Sequence, residues 1–176
     1  MRDLQKDFNV AFESYNDELF RHASMRLKDR DRALEITQEC FLKVWGYAQK
    51  GGEIREMRPF LYRTLRHLII DEYRRKKPVS LEAMAEGQED MSVEVLLPPD
   101  ESNTLESAIE RYDGKRAMSA LRELPDVYRE ALSLRYVEGL SPGEIGGIVG
   151  ESENVVSVRI HRGLKKLKAM LDQKNV

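Results

Sequence analysis

The sequence predicts an all-α protein, two small helical domains joined by an acidic flexible linker. Three observations predict it. Apolar residues recur at three- and four-residue spacing, as in Ile36, Cys40, Phe41, Val44 and Trp45, which is the stripe of an amphipathic helix. Strand signals are nearly absent. Charge is blocked: residues 55–77 hold eight Lys/Arg against three Asp/Glu, residues 79–110 hold nine Asp/Glu and no Lys/Arg, and residues 154–176 hold six Lys/Arg against one acid. A chain of 176 residues has room for two such domains.

In the first domain, residues 1–78, helices are expected near 5–27, 30–49, 56–66 and 68–76. Gly51-Gly52 breaks the chain after the second. Pro59 falls in the first turn of the third, where its missing N–H costs little, and Pro78 ends the fourth. From 79 to 110 the periodicity dissolves into acidic residues around Pro98-Pro99, a linker without its own core. Fully extended, it would span roughly 100 Å. The second domain, 111–176, is expected to hold helices near 112–122, 126–137, 142–149 and 153–171.

Several classes are excluded. No apolar run approaches the roughly 18 residues of a membrane span, and the charged N-terminus is followed by no apolar signal. A single cysteine, Cys40, builds neither a disulfide framework nor a zinc knuckle, and it lies on the apolar stripe. A reducing cytoplasm is the expected location. His22, His67 and His161 are scattered, and neither HExxH, a Gly-rich phosphate loop nor a nucleophile elbow occurs, so no enzyme, metal or cofactor is expected. Two basic blocks ending two helical units point instead to a polyanion.

Ser141-Pro142-Gly143-Glu144 is a helix start: a capping serine, a proline at the first helical position and a glutamate that completes a capping box. Ile145, Ile148 and Val149 follow, Gly150 supplies a turn with positive φ, and Ser152 caps the next helix. A short helix, a Gly turn and a longer basic helix make a helix-turn-helix. On the long helix Val156, Ile160, Leu164, Leu167 and Leu171 form the inward stripe. Asn154, Ser157 and Val158, near its N-terminal end, are placed to read base edges, with Val158 either meeting a thymine methyl or simply exposed. Arg159, Arg162, Lys165 and Lys166 are placed to grip phosphates, and His161 shares the outward face as an ordinary surface histidine or a contact.

Leu124-Pro125, Tyr128-Arg129-Glu130, Leu134-Arg135-Tyr136, Glu138-Gly139-Leu140-Ser141, Glu144-Ile145 and Arg159-Ile160-His161-Arg162-Gly163 resemble domain 4 of bacterial sigma-70 family factors, and most the small extracytoplasmic-function type. Pro142 replaces a usual aromatic, Gly146-Gly147 an Ala-containing pair, and Ser157-Val158 a Lys-Ser pair. The two glycines are expected to weaken their helix by about 1 kcal/mol each relative to alanine.

The stretch from Ala33 to Trp45 resembles the core-polymerase-binding helix of sigma domain 2. The resemblance implies that Glu35, Gln38 and Glu39 dock on the clamp helices of the polymerase's largest subunit; the bland reading is a solvated face. Pro59-Phe60-Leu61-Tyr62-Arg63 and Ile70-Asp71-Glu72-Tyr73-Arg74-Arg75 resemble the segment that melts and reads the minus-ten element. Aromatic faces interleaved with cations suit single-stranded DNA. The contacts so implied are Phe60, Tyr62, Arg63, Arg66, His67, Asp71, Tyr73, Arg74 and Arg75, with Phe60 equally readable as core. His67 stands where the family has an asparagine, in the loop that receives an extruded base.

The resemblance implies a sigma factor that binds RNA polymerase core, through clamp helices and flap, and directs it to promoters. Domain 4 would read the minus-thirty-five duplex and domain 2 would hold the minus-ten single strand. An anti-sigma factor is a further partner the resemblance allows. The rival is a helix-turn-helix regulator that binds duplex DNA without polymerase; such a protein would normally carry a sensor or dimerisation half in place of residues 30–77.

Overall fold

A computed structural model describes residues 4–76 and 114–173, which form two compact helical units. The acidic stretch 79–110 lies outside the described residues, and with it the expected linker.

The first unit is three helices, α1 (Leu4–Arg26), α2 (Arg30–Gln49) and α3 (Met57–Lys76), each packed on the other two. Asp29 starts α2: its backbone is extended and its side chain accepts the Arg32 N–H at 3.1 Å. The helix ends where Gly52 N–H reaches the Tyr47 carbonyl and Gly51 N–H the Ala48 carbonyl, both at 3.0 Å, with Gly51 at φ 84°. That paired closure needs a left-handed residue, which glycine supplies without strain. Gly52 has a second reason to be glycine, since a Cβ there would run into the Tyr47 ring. Leu19 and Ala23 of α1, Ile36, Cys40 and Val44 of α2, and Leu61, Leu65 and Ile69 of α3 form the core. One end of the α1–α2 seam is aromatic, with Phe8 4.9 Å from Trp45 and Phe12 4.9 Å from Phe41.

The expected break between residues 66 and 68 is absent, and α3 runs unbroken. Its buried stripe, Leu61, Leu65, Leu68, Ile69 and Glu72, keeps helical spacing straight through the supposed loop. No glycine or proline interrupts it, so nothing ends the ladder.

The second unit is α4 (Gly114–Glu123), α5 (Asp126–Leu132), α6 (Pro142–Val149) and α7 (Glu153–Gln173). Pro125, with ψ 143°, lies between α4 and α5, and Arg129 ties the two by donating to the Arg122 carbonyl at 2.9 Å. Beyond α5 the helix widens into one π turn, Ser133–Val137, closed by Glu138 N–H on the Ser133 carbonyl at 3.0 Å. Across this junction Glu130, Ala131, Leu132, Ser133 and Leu134 are all buried, so the helix is enclosed on more than one face. The long α7 packs Val156, Ile160, Gly163, Leu167 and Leu171 inward. Gly163 thus belongs to the stripe and Leu164 stands at its margin, because α5 comes so close that a Cβ at 163 would lie 3.2 Å from Leu132.

Candidate nucleic-acid interface

The helix-turn-helix is built by local chemistry. Glu144 accepts the Ser141 N–H at 2.7 Å while Ser141 Oγ accepts the Glu144 N–H at 3.2 Å, a reciprocal capping box. Gly150 has φ 78°, and Ser152 Oγ accepts the Val155 N–H at 3.3 Å at the head of α7. Gly146 is more than a weak helix former. Its carbonyl accepts Glu151 N–H at 3.1 Å, and a Cβ on it would lie 2.6 Å from the Glu151 carbonyl oxygen. The turn is tight because residue 146 has no side chain.

On α7, Asn154, Lys165 and Lys166 are exposed, while Ser157, Val158, Arg159, His161 and Arg162 are half-buried. All lie off the apolar stripe. Ser157 Oγ donates to the Glu153 carbonyl at 3.0 Å, and Arg159 pairs with Glu151 at 3.4 Å across the turn. Lys166 holds its ammonium 5.5 Å above the Tyr128 ring. Arg159 spends one Nη on Glu151, and its remaining donors are left for a phosphate.

The minus-ten candidates divide sharply. Tyr62 is 1 % exposed, edge-on to the buried His22 ring at 5.5 Å, with the Arg58 guanidinium 5.8 Å from its centroid. A ring so enclosed is core and offers no face to a base, which corrects the expectation for it. His67 is exposed but lies mid-helix on α3, not in a loop. Tyr73 is half-buried and its hydroxyl donates to the Arg26 carbonyl at 2.7 Å, tying α3 to the end of α1. Phe60 packs on Tyr47 with 5.1 Å between ring centroids, and the Arg63 guanidinium lies 5.8 Å from the Phe60 centroid. Arg66 is half-buried; Asp71, Arg74 and Arg75 are exposed, and Arg74 and Asp71 pair at 3.8 Å.

On α2, Glu35 and Gln38 are exposed and Glu39 is half-exposed, opposite the buried Ile36, Cys40 and Val44. Burial pushes the Cys40 thiol up to about 12, so it stays protonated and inert. Sequence reasoning missed two features here. Leu34 and Leu42 are exposed beside Gln38, Leu42 by 70 %, and helical projection places them there at four-residue spacing. Glu72 is 5 % exposed and joins Arg32 at 2.9 Å and Lys76 at 3.3 Å. Arg32 first, then Lys76, holds its carboxyl below the usual range. Its place on the buried stripe of α3 was the available signal.

Among the described residues no group of His, Cys, Asp and Glu is arranged to hold a metal, and no helix is long and apolar enough to cross a membrane.

Residues 11–79 match the family profile of Sigma-70 region 2, and residues 115–167 match that of Sigma-70, region 4. The ECF RNA polymerase sigma factor SigW of Bacillus subtilis (strain 168) is 29% identical over 174 residues, covering 95% of this chain and 90% of that protein. The RNA polymerase sigma factor SigV of the same strain is 26% identical, covering 92% and 89%. Among solved structures, the sigma factor RpoE from Bartonella quintana, crystallised with the anti-sigma factor NepR, has the same fold, with a TM-score of 0.67 at 21% identity over 95% of this chain and 98% of that one.

Proposed function

The chain belongs to the sigma-70 family and is a transcription initiation factor of the extracytoplasmic-function type, and we propose that its two units divide the work of finding and opening a promoter. The α2 face of Glu35, Gln38 and Glu39, flanked by the exposed Leu34 and Leu42, docks on RNA polymerase core. Carboxylates for basic partners with leucines at the margin are what a desolvated contact needs.

The outward side of α3 then holds the single-stranded minus-ten element, with Arg63, Arg66, Asp71, Arg74 and Arg75 as the polar set, Phe60 and Tyr73 at its edge, and His67 exposed among them. The α7 helix enters the major groove of the minus-thirty-five duplex, with Asn154, Ser157 and Val158 towards the bases. Arg159, His161, Arg162, Lys165 and Lys166 face the backbone. The protein acts by binding, in the cytoplasm with the polymerase, and catalyses no reaction. The cost of unstacking a base, a few kcal/mol, is offset by these contacts. The solved relative bound to an anti-sigma factor supports an anti-sigma factor as a further partner here.

The observation that carries this reading is the pairing of a region 2 match with an exposed acidic-amide face and a region 4 match with a fully capped helix-turn-helix. A duplex-binding regulator is not favoured, since it gives residues 11–79 nothing to do. In vitro transcription with purified core polymerase tests it: promoter-specific transcripts should appear only with this protein present. Glu35→Lys with Glu39→Lys should abolish core binding while leaving helix content unchanged, because desolvated like-charge contacts cost several kcal/mol. Wild-type core affinity in that double variant removes the docking assignment.

A further inference from the structure

Arg32 stands where two carboxylates from different helices meet. Its Nη1 donates to Glu35 Oε2 at 2.7 Å and its Nη2 to Glu72 Oε2 at 2.9 Å. The other oxygen of Glu72 faces the Lys76 ammonium at 3.3 Å. Arg32 is itself fixed, because its N–H is the one that Asp29 caps at the start of α2. One guanidinium thus links Glu35, on the proposed docking face, to Glu72, one turn from the end of α3 and between Asp71 and Tyr73.

The exposures say which partner gives way. The side chain of Glu72 is 6 % exposed and that of Lys76 is 56 % exposed. The carboxylate is enclosed and keeps a cation; the ammonium reaches water without moving its backbone. An arginine can close both Nη groups on one carboxylate in a bidentate pair, stronger and better oriented than a lysine contact. In the free protein one Nη is drawn away by Glu35, which leaves the second oxygen of Glu72 to Lys76.

We propose that Arg32 is a positioning residue that couples polymerase docking to the DNA grip of α3: when a polymerase cation takes Glu35, Arg32 closes on Glu72 with both Nη groups and Lys76 is released to a promoter phosphate. This rests on the docking role proposed for Glu35. It adds one cation to the face of Arg74 and Arg75 only after core is bound, so the grip on the minus-ten strand is tightest in the holoenzyme. Linkage makes the effect reciprocal, and DNA on α3 should strengthen core binding by the same factor.

The test uses full-length protein, core polymerase at concentrations that saturate each variant, and a forked promoter DNA whose minus-ten strand is single. The slope of log affinity against log salt is the readout. Each phosphate contact on a single strand contributes about 0.7 to that slope. In otherwise wild-type holoenzyme, Lys76→Ala should lower it by about 0.7. In Arg32→Lys holoenzyme the same replacement should leave it unchanged, because a lysine at position 32 cannot form the bidentate pair and Lys76 stays on Glu72. Arg32→Gln should behave like Arg32→Lys, which separates the two-pronged geometry from charge alone; if the glutamine variant folds poorly, the lysine variant carries the comparison. An equal fall in slope in both backgrounds overturns the coupling and leaves docking standing, since every complex compared has formed on core. A wild-type chain that forms no holoenzyme overturns the docking reading and the coupling together.

Discussion

The helices α3 and α7 are of nearly equal length, 20 and 21 residues, and both present cations outward, yet they bury different things. Inward, α7 offers Val156, Ile160, Gly163, Leu167 and Leu171, with no polar side chain among them. The buried side of α3 mixes Leu61, Leu65, Leu68 and Ile69 with Tyr62 and Glu72. It is also pinned at both ends by polar contacts, Arg58 to Glu18 at 2.8 Å and Glu72 to Arg32 at 2.9 Å. Charge on α7 is added to a helix already held by apolar packing. On α3 the same residue types hold the helix and serve its surface. Substitutions on α3 should therefore disturb stability and binding together, and those on the outer face of α7 should separate them.

The largest effect expected is Leu65→Ala. Leu65 is fully enclosed in the first unit, and removing a buried leucine costs about 2–5 kcal/mol through lost burial and the cavity left behind. Denaturant unfolding should show the midpoint falling. A cost below about 1 kcal/mol would mean that the ion pairs at its ends, not the apolar stripe, fix α3.

Next is Glu72→Gln. Hydrogen bonds to a charged partner are worth about 1.5–3 kcal/mol, and the loss should approach the lower figure because Lys76 is largely exposed. The variant should also change the response to acid. The folded carboxyl is held below its ordinary value of 4.5, by Arg32 first and Lys76 second. The folded state therefore binds fewer protons than the unfolded chain. Its contribution is complete above that pH and is lost as pH falls through the folded value. Stability followed below pH 4.5 should fall less steeply in Glu72→Gln than in wild type; parallel curves would show that other carboxylates carry the acid response.

A smaller effect belongs to the turn. Ser141→Ala breaks half of the capping box and should cost about 1 kcal/mol. Gly146→Ala removes conformational freedom but forces a Cβ against the Glu151 carbonyl. Ordinary helix propensity would make it stabilising by about 1 kcal/mol; the contact should cancel or reverse that gain. Thermal melts of both variants decide it, and a clearly more stable Gly146→Ala shows that the turn can relax.

How much can be read in the sequence depends on the range of the forces involved. Ser141, Glu144, Gly150 and Ser152 act within a few residues, so the helix-turn-helix could be read from its own letters, and the structure closes the bonds they imply. The inward positions of α7 were nearly right, but a 100° projection cannot see that Leu132 approaches position 163 and makes the glycine part of the core. Tyr62 looked like a base-stacking ring because its neighbours are arginines; its enclosure depends on His22, from a different helix. A break at His67, implied both by the expected helix bounds and by the resemblance, conflicts with an apolar stripe that continues past it. The Arg32–Glu72 pair spans forty positions, and its register depends on how α2 and α3 pack.

The smallest effect on folding should come from the outer face of α7, where the contrast with α3 is cleanest. Arg162 lies off the buried stripe and is half-buried at the surface. Arg162→Ala should change stability by less than about 1 kcal/mol. It should nonetheless weaken binding to every duplex alike and lower the salt slope by about 0.9, the loss of one phosphate contact. Ser157 is nearer the head of the helix, where base edges are read, and its hydroxyl is turned back to the Glu153 carbonyl. Ser157→Lys adds a donor reaching outward from that position. It should change which promoters are used and leave folding alone. A binding series over a promoter library separates the two: a uniform loss for Arg162→Ala and a reordered preference for Ser157→Lys. If the two variants shift the library in the same way, α7 does not divide into a reading end and a gripping face, and its difference from α3 lies in stability alone.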